Sequence, residues 1–413
     1  MRGVAELRVQ GEPCTGANMD IRFTDEEQAF REEIQAFLRE ELPDDWDPLD
    51  QASLFSPERL PFTKEMSKKL AAKGWLTLAW PREYNGQARP IMEQLVYTEE
   101  MSYWGAPGTD LGVGAIRWVG PALMIAGTQE QKREHLPPIA NAERYWCTLY
   151  SEPGSGSDLA SLQTSAVLDG DDYVVNGQKI WTTAAHIADW GWLAARTDPD
   201  APKHRGISLF MLDMKSPGVS VRPIVNMMGE HEFNEVFFED VRVPKGNLVG
   251  EENLGWYTLA LALDFERSGV ANSASARRTL ETLTKYAQET RHDGKTLAED
   301  PIVRHKLANR HVEAEVARWL AYRVGWMQSQ GLAPNAEASM SKLYGTELMQ
   351  RVAQTGMELM GLAGQLSPGS RWAPLQGHIQ RTYVGSVSTT LAAGTSEIQR
   401  DIIARRGLDL PRG

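Results

Sequence analysis

Cysteine is almost absent from this chain: two occur in 413 residues, Cys14 and Cys147. That excludes a disulfide framework and any Cys-x-x-Cys metal spacing, and fits a reducing, cytoplasmic setting. The eight histidines show no His-x-x-x-His or clustered spacing, so no metal is expected. No apolar run approaches the roughly 18 residues needed to cross a bilayer, and no membrane span is expected. The first residues lack an apolar core of signal-peptide type; residues 1–19 read as a tail ending at a second methionine, Met19. A basic excess is missing too: the formal net charge is −12, which argues against a general nucleic-acid surface. Internal repeats and low-complexity segments are lacking. What remains, 42% hydrophobic and 24% charged residues, is the composition of a soluble chain long enough for about three domains.

The periodicity changes twice along the chain. Thr24-Asp25-Glu26-Glu27 is a capping box, after which Phe30, Ile34, Phe37 and Leu38 recur at helical spacing until Pro43. A second helix carries Met66 and Leu70 and stops at Gly74. Helical stretches follow at Met92 to Met101 and Gly120 to Ala126, and another opens at Thr128 and ends near Pro137-Pro138. Residues 20–145 therefore read as an all-α domain. Residues 146–255 read as a β domain: a hairpin of Ser165 to Leu168 and Tyr173 to Asn176, then strands at Trp190 to Ala195, Ile207 to Leu212, Val219 to Val225 and Glu235 to Val243. Taken alone, Asn234 to Pro244 reads as an edge strand. Residues 256–413 are helical again, with breaks near Gly294, Gly331 to Pro334 and Gly361 to Ser370, as in a bundle of four or five long helices.

Two short segments carry the chemistry. Ser151-Glu152-Pro153-Gly154-Ser155-Gly156-Ser157-Asp158 is a hydroxyl-rich turn in which Gly154 and Gly156 are expected to adopt backbone angles closed to other residues and to let a polar ligand approach the main chain. About 20 residues later, Asn176-Gly177-Gln178-Lys179-Ile180-Trp181-Thr182-Thr183 offers hydroxyls beside a wide apolar ring. Alone, the first is an ordinary β-turn and the second a strand ending in a core Trp. Their order and spacing resemble the acyl-CoA dehydrogenase family, whose first signature runs Thr/Ser, Glu-Pro, two small residues, Gly-Ser-Asp, followed by Asn-Gly-x-Lys-x-Trp-x-Thr. Near the end, Gly394-Thr395-Ser396-Glu397-Ile398-Gln399-Arg400 resembles the second signature. Here a turn precedes Ser396 and Gln399 in capping-box register, and the helix is expected to run to Gly407. Asn234 to Pro244 also resembles the family's last β segment.

The resemblance spans residues 20–410. It implies an α+β multidomain fold with an N-terminal all-α domain, a middle β-barrel-like domain and a C-terminal helix bundle. It further implies FAD against Tyr150, Ser151, Gly156, Ser157, Trp181, Thr182 and Thr183, with Thr395 and Glu397 touching the flavin. Arg291, Glu358 and Gly361 would reach the FAD of a neighbouring subunit in a homotetramer or dimer. Arg291 is a loose match, since the family's following aromatic is absent; its plain alternative is a solvated helix-end cation. An acyl-CoA substrate would meet Ser157, Arg267, Ala393 and Gly394, and electrons would leave to an electron-transfer flavoprotein.

One family residue is missing. The base that removes the α-proton is most often a glutamate just before the Gly-Thr-Ser turn, and Ala393 stands there; its N–H remains available to the thioester oxygen. Read as one helix from Trp256, the residues Leu259, Leu263, Glu266 and Val270 share a stripe, so Glu266 is either an edge residue reaching water or a buried acid with a purpose. Leu263-Asp264-Phe265-Glu266-Arg267 resembles isovaleryl- and long-chain acyl-CoA dehydrogenases, where the base glutamate precedes an arginine, and Glu266 is therefore expected to be the catalytic base. The vacancy at 393 fits that relocation. The alternatives are a flavin monooxygenase or nitroalkane oxidase on the same scaffold, or a catalytically silent subunit of a heteromer.

Overall fold

The computed structural model describes residues 22–50, 53–109, 114–262 and 268–411. The box at Thr24 forms in full: its hydroxyl accepts the Glu27 N–H at 3.2 Å and the Glu27 carboxylate accepts the Thr24 N–H at 2.9 Å. The helix it opens, α1 (Asp25–Glu41), buries Phe30, Ile34, Phe37 and Leu38, as the spacing predicts. Helices α2 (Leu60–Ala72), α3 (Ile91–Tyr103), α4 (Gly120–Ala126) and α5 (Gln129–Ala140) follow. α5 departs from the sequence reading, since it runs through Pro137 and Pro138 to Ala140. In its last turns the two prolines delete only two N–H donors, and the Arg144 guanidinium reaches the Glu134 carbonyl at 3.4 Å.

The middle region is one eight-stranded sheet. Its strands are β1 (Trp146–Leu149), β2 (Ser165–Asp169), β3 (Asp172–Lys179), β4 (Trp190–Arg196), β5 (Ile207–Asp213), β6 (Val219–Val225), β7 (His231–Pro244) and β8 (Leu248–Val249). They run in the order β6-β7-β3-β2-β4-β5-β8, with β1 parallel to β4. The uninterrupted apolar runs of β4 and β5 arise because both faces are covered. Trp192, Ala194, Leu209 and Met211 join Leu123 and Leu136 of the helical domain, while Leu193, Ala195, Phe210 and Leu212 join Tyr173, Val175 and Val236 within the sheet. Cys147 lies in the second core, where burial pushes its thiol up to about 12. The expected edge strand is instead an interior one: β7 pairs with β6 on one side and β3 on the other.

Helices α6 (Gly255–Ala262) and α7 (Val270–Glu289) open the last region. A short hairpin follows, β9 (Arg291–His292) with β10 (Lys295–Thr296), then α8 (Pro301–Ser329), α9 (Asn335–Met360), α10 (His378–Thr389) and α11 (Ser396–Ile402). The helical stripe drawn from Trp256 to Val270 does not continue unbroken. Gly269 sits at φ 71°, outside helical space, and starts α7 afresh, so one helical phase is not carried from Leu259 to Val270.

Glu99 of α3, 1% exposed, joins the first and last regions. It accepts from Arg31 of α1 at 2.8 Å, and from Arg318 at 2.8 Å and Tyr322 at 2.7 Å, both on α8. Burial alone would push this carboxyl up, but Arg318 and Arg31 hold it below its ordinary range. A lowered folded value means that its stabilisation is complete above the unfolded carboxylate value and is lost as pH falls through the folded one. Glu99→Ala is expected to destabilise by about 3–5 kcal/mol at neutral pH, because Arg318 loses its buried counter-charge and Arg31 is left with Glu100 alone. Thermal unfolding across pH checks this, with the gap to wild type closing in acid.

Candidate active site

Two loops that lie far apart in sequence are brought together at the ends of β1 and β3. The Ile180 N–H donates to the Ser151 carbonyl at 2.9 Å, and Lys179 Nζ donates to the Tyr150 carbonyl at 3.0 Å. Lys179 is fully buried and also meets the Glu152 carboxylate at 2.8 Å. That carboxylate accepts the Gln163 and Thr164 N–H groups at 2.6 and 2.9 Å. Burial lowers the Lys179 ammonium to about 8 against the pull of Glu152, and Lys179 keeps the carboxyl low against its own desolvation. Both residues stand in the quoted motifs, yet nothing in the sequence revealed that they form one latch.

The turn at 152–155 closes through reciprocal bonds, Glu152 N–H to Ser155 O at 2.8 Å and Ser155 N–H to Glu152 O at 3.0 Å. This corrects the expected part played by Gly154 and Gly156. Neither has positive φ, so the turn does not demand glycine. What they leave is room: a Cβ at either position would meet nothing within 4 Å. Ser157 is exposed, and Tyr150 lies against the first core.

Beyond β3 the strand is irregular. Trp181 takes φ 61° and remains 59% exposed, with Phe233 edge-on at 6.4 Å between ring centroids. Thr182 is buried and Thr183 exposed. The Thr182 and Ser155 hydroxyls are both buried without a hydrogen-bond partner among the described residues. Thr183 and Phe233 line a cavity of about 630 Å³, walled opposite by Ser275 and Thr279 of α7 and by Thr382 and Thr389 of α10. An exposed aromatic face, two unsatisfied buried hydroxyls, two open glycine positions and a hydroxyl-lined cavity fit a planar, polar-edged ring system.

The C-terminal turn is positioned separately. Ala393 takes φ 52° and Gly394 φ 88°. Lys342 of α9 donates to the Thr389 and Gly394 carbonyls at 3.1 and 2.8 Å, tying this turn to the cavity wall. Gln399 reaches the Ala393 and Gly394 carbonyls at 3.3 Å each. The helix cap differs from the sequence reading: Thr395 is the N-cap and accepts the Ile398 N–H at 3.2 Å, while Ser396 is buried one residue inside. Glu397 is exposed in the first turn, where backbone N–H groups lower its carboxyl. Helical winding continues from α11 to Gly407 in a wider π turn.

Arg291, Glu358 and Gly361 lie elsewhere. Arg291 is exposed and donates to the Gly294 carbonyl at 3.0 Å; Glu358 pairs with Lys306 at 2.7 Å; Gly361 closes α9 at φ 56°. Among the described residues no hydrogen bond or ion pair joins them to the floor at Trp181. Glu266 and Arg267 lie outside the described residues, but Ser268 lines a second cavity of about 540 Å³ with Trp75, Trp80, Tyr84, Tyr97 and Ile116. Thr109 lines both cavities.

Comparison with known proteins shows the family. Residues 24–143, 147–241 and 253–408 match the N-terminal, middle and C-terminal domains of acyl-CoA dehydrogenase, and the chain belongs to that family. It is 38% identical to acyl-CoA dehydrogenase FadE26 of Mycobacterium tuberculosis over 95% of this chain and 99% of that one. The ChsE4-ChsE5 complex of Mycobacterium tuberculosis has a chain that is 38% identical with a TM-score of 0.84, over 96% of this chain and 100% of that chain. A steroid acyl-CoA dehydrogenase described as Tcur3481-Tcur3483 gives 35% identity and a TM-score of 0.86, with coverage of 96% and 100%. The chain is thus an FAD flavoprotein and an oxidoreductase acting on CH–CH donors.

The buried latch generates the first test at this site. Lys179→Met leaves the Glu152 carboxylate desolvated without its cation and is expected to cost about 3–5 kcal/mol and weaken FAD uptake. Adding Glu152→Gln removes the stranded charge while keeping an acceptor for the two N–H groups. Thermal melts and FAD titration should show the double variant recovering most of the loss.

Proposed function

We propose that this protein dehydrogenates an acyl-CoA thioester to the trans-2-enoyl-CoA, with Glu266 as the base. The observation that carries the reading is the pairing of Ala393, which cannot take a proton, with Glu266-Arg267 two residues before a cavity-lining serine. The α-proton passes to the Glu266 carboxylate, and the Ala393 N–H in its Lys342-braced turn serves the thioester oxygen. Bound FAD supplies the acceptor for the β-hydrogen with its electron pair. Tyr150, Ser151, Gly156, Ser157, Trp181, Thr182 and Thr183 form the flavin floor, with Thr395 and Glu397 at its far side. A carboxylate working in apolar, partly dehydrated surroundings is raised toward neutrality, which suits removal of a proton from a weakly acidic carbon.

We read the acyl group as bulky. The aromatic-walled second cavity and the small Ala392 and Ala393 leave space, and one structural relative is described as a steroid enzyme. Electrons go to an electron-transfer flavoprotein. Arg291, Glu358 and Gly361, which have no bond to this chain's own floor among the described residues, act on a neighbouring subunit's FAD in a tetramer or dimer. A heteromer is the second reading, favoured by the two similar structures described as pairs of chains.

Glu266→Gln is expected to keep FAD and acyl-CoA binding and to lose flavin reduction by on the order of 10³-fold, the scale of removing a general base. Anaerobic flavin bleaching measures it, and wild-type bleaching in the variant refutes the assignment. In the same assay steroid-like or branched acyl-CoAs should outrank octanoyl-CoA. A single-chain native mass with full FAD occupancy would argue against the shared site.

A further inference from the structure

We infer that Asn234, with His231 and His186, is a positioning residue that sets the flavin-facing end of β3. This rests on the reading of that strand end as the flavin floor. After a register shift between Val175 and Gly177, β3 and β7 pair step for step from Gly177 to Lys179, which faces Val236. Three residues later, the Thr182 N–H donates to the Asn234 carbonyl at 3.0 Å, so three steps on one strand answer two on the other. One residue is extra, and the strain of that bulge falls on Trp181 at φ 61°, in a region non-glycine residues avoid. The bulge turns the strand so that Trp181 and Thr183 stay exposed while Thr182 faces inward.

Something must hold this arrangement, and Asn234 does so with its side chain as well as its backbone. It is fully buried, and its Nδ2 donates to the Thr182 carbonyl at 3.0 Å. Both polar groups of the Thr182 backbone are therefore spent on one residue. The amide is itself fixed: Nδ2 lies 3.2 Å from His186 Nδ1, and Oδ1 lies 2.8 Å from His231 Nε2. With its two N–H bonds going to Thr182 O and His186 Nδ1, Asn234 accepts only from a His231 that carries its proton on Nε2. The two imidazoles stack at 4.0 Å, which closes the network on its outer side. The next rung, Ala184 N–H to Glu232 O at 2.9 Å, continues the displaced register. Glu232, Phe233 and Thr183, which flank the clamp, all line the 630 Å³ cavity.

An aspartate at 234 has the same shape but no N–H. Leucine has the size and no polar atom. Both Asn234→Asp and Asn234→Leu are expected to weaken FAD binding at least tenfold and to alter the visible spectrum of the flavin that remains. The melting temperature of the apo-protein should move by only a few degrees. His231→Leu, which removes the donor that orients the amide, should act in the same direction, and His231→Gln, which restores an N–H, should return towards wild type. Wild-type FAD affinity and spectrum in both Asn234 variants would overturn the proposal. So would equal effects of His231→Leu and His231→Gln, or a collapse of apo-protein stability that accounts for the whole loss of FAD. If the wild-type chain itself takes up no FAD, the floor reading falls and the proposal with it, an outcome distinct from the others.

Discussion

The buried ion pair of Lys179 and Glu152 is the constraint on which the proposed flavin floor depends. An ammonium wholly removed from water is tolerated only if its neighbours replace the lost hydration, and here a carboxylate and a carbonyl do so. Because those partners belong to the segment after β1 while the lysine ends β3, the requirement to satisfy one charge fixes two loops against each other. The carboxylate repeats the logic by gathering the N–H groups of Gln163 and Thr164. The turn between them is then free to carry glycines for space.

A second buried carboxylate, Glu99, does for the whole molecule what Glu152 does for one loop. By drawing guanidiniums from α1 and α8 onto α3, it settles how the first helices sit on the last ones. Both cavities take walls from the first and last regions and meet at Thr109, so their shape depends on that docking. The middle sheet contributes through its double-sided core, one side of which packs β4 and β5 against α4, α5 and α6. The docking that brings the proposed floor and the C-terminal turn into one molecule thus rests on Glu99, a charge outside both segments.

Much of this was legible in the sequence because the signals were local. A capping box, a helical stripe and a strand-turn-strand pattern depend on neighbours within a few residues, and they landed where expected at Thr24, at Phe30 to Leu38 and at Ser165 to Asn176. The motifs named Trp181, Thr182 and Thr395 without showing how they are held. The failures were of two kinds. Some features need partners distant in the chain, as for Lys179 with Glu152, Asn234 with Thr182 and His186, and Lys342 with Gly394. Others are local rules overridden by context: two prolines tolerated in the last turns of α5, a β7 taken for an edge because its second partner, β3, is remote in the chain, and a stripe that Gly269 interrupts. Glycine at 154 and 156 misled in a third way, since the residue that permits unusual backbone angles is also the one that occupies least space.

The left-handed Trp181 has a consequence for how this protein can change. At the buried positions of the sheet, tighter packing and sounder function coincide. At 181 they diverge: glycine would relieve the backbone but remove the exposed ring. A lineage drifting towards thermal robustness would meet its conflict of interest here first, and one that had given up the reaction would be free to settle it.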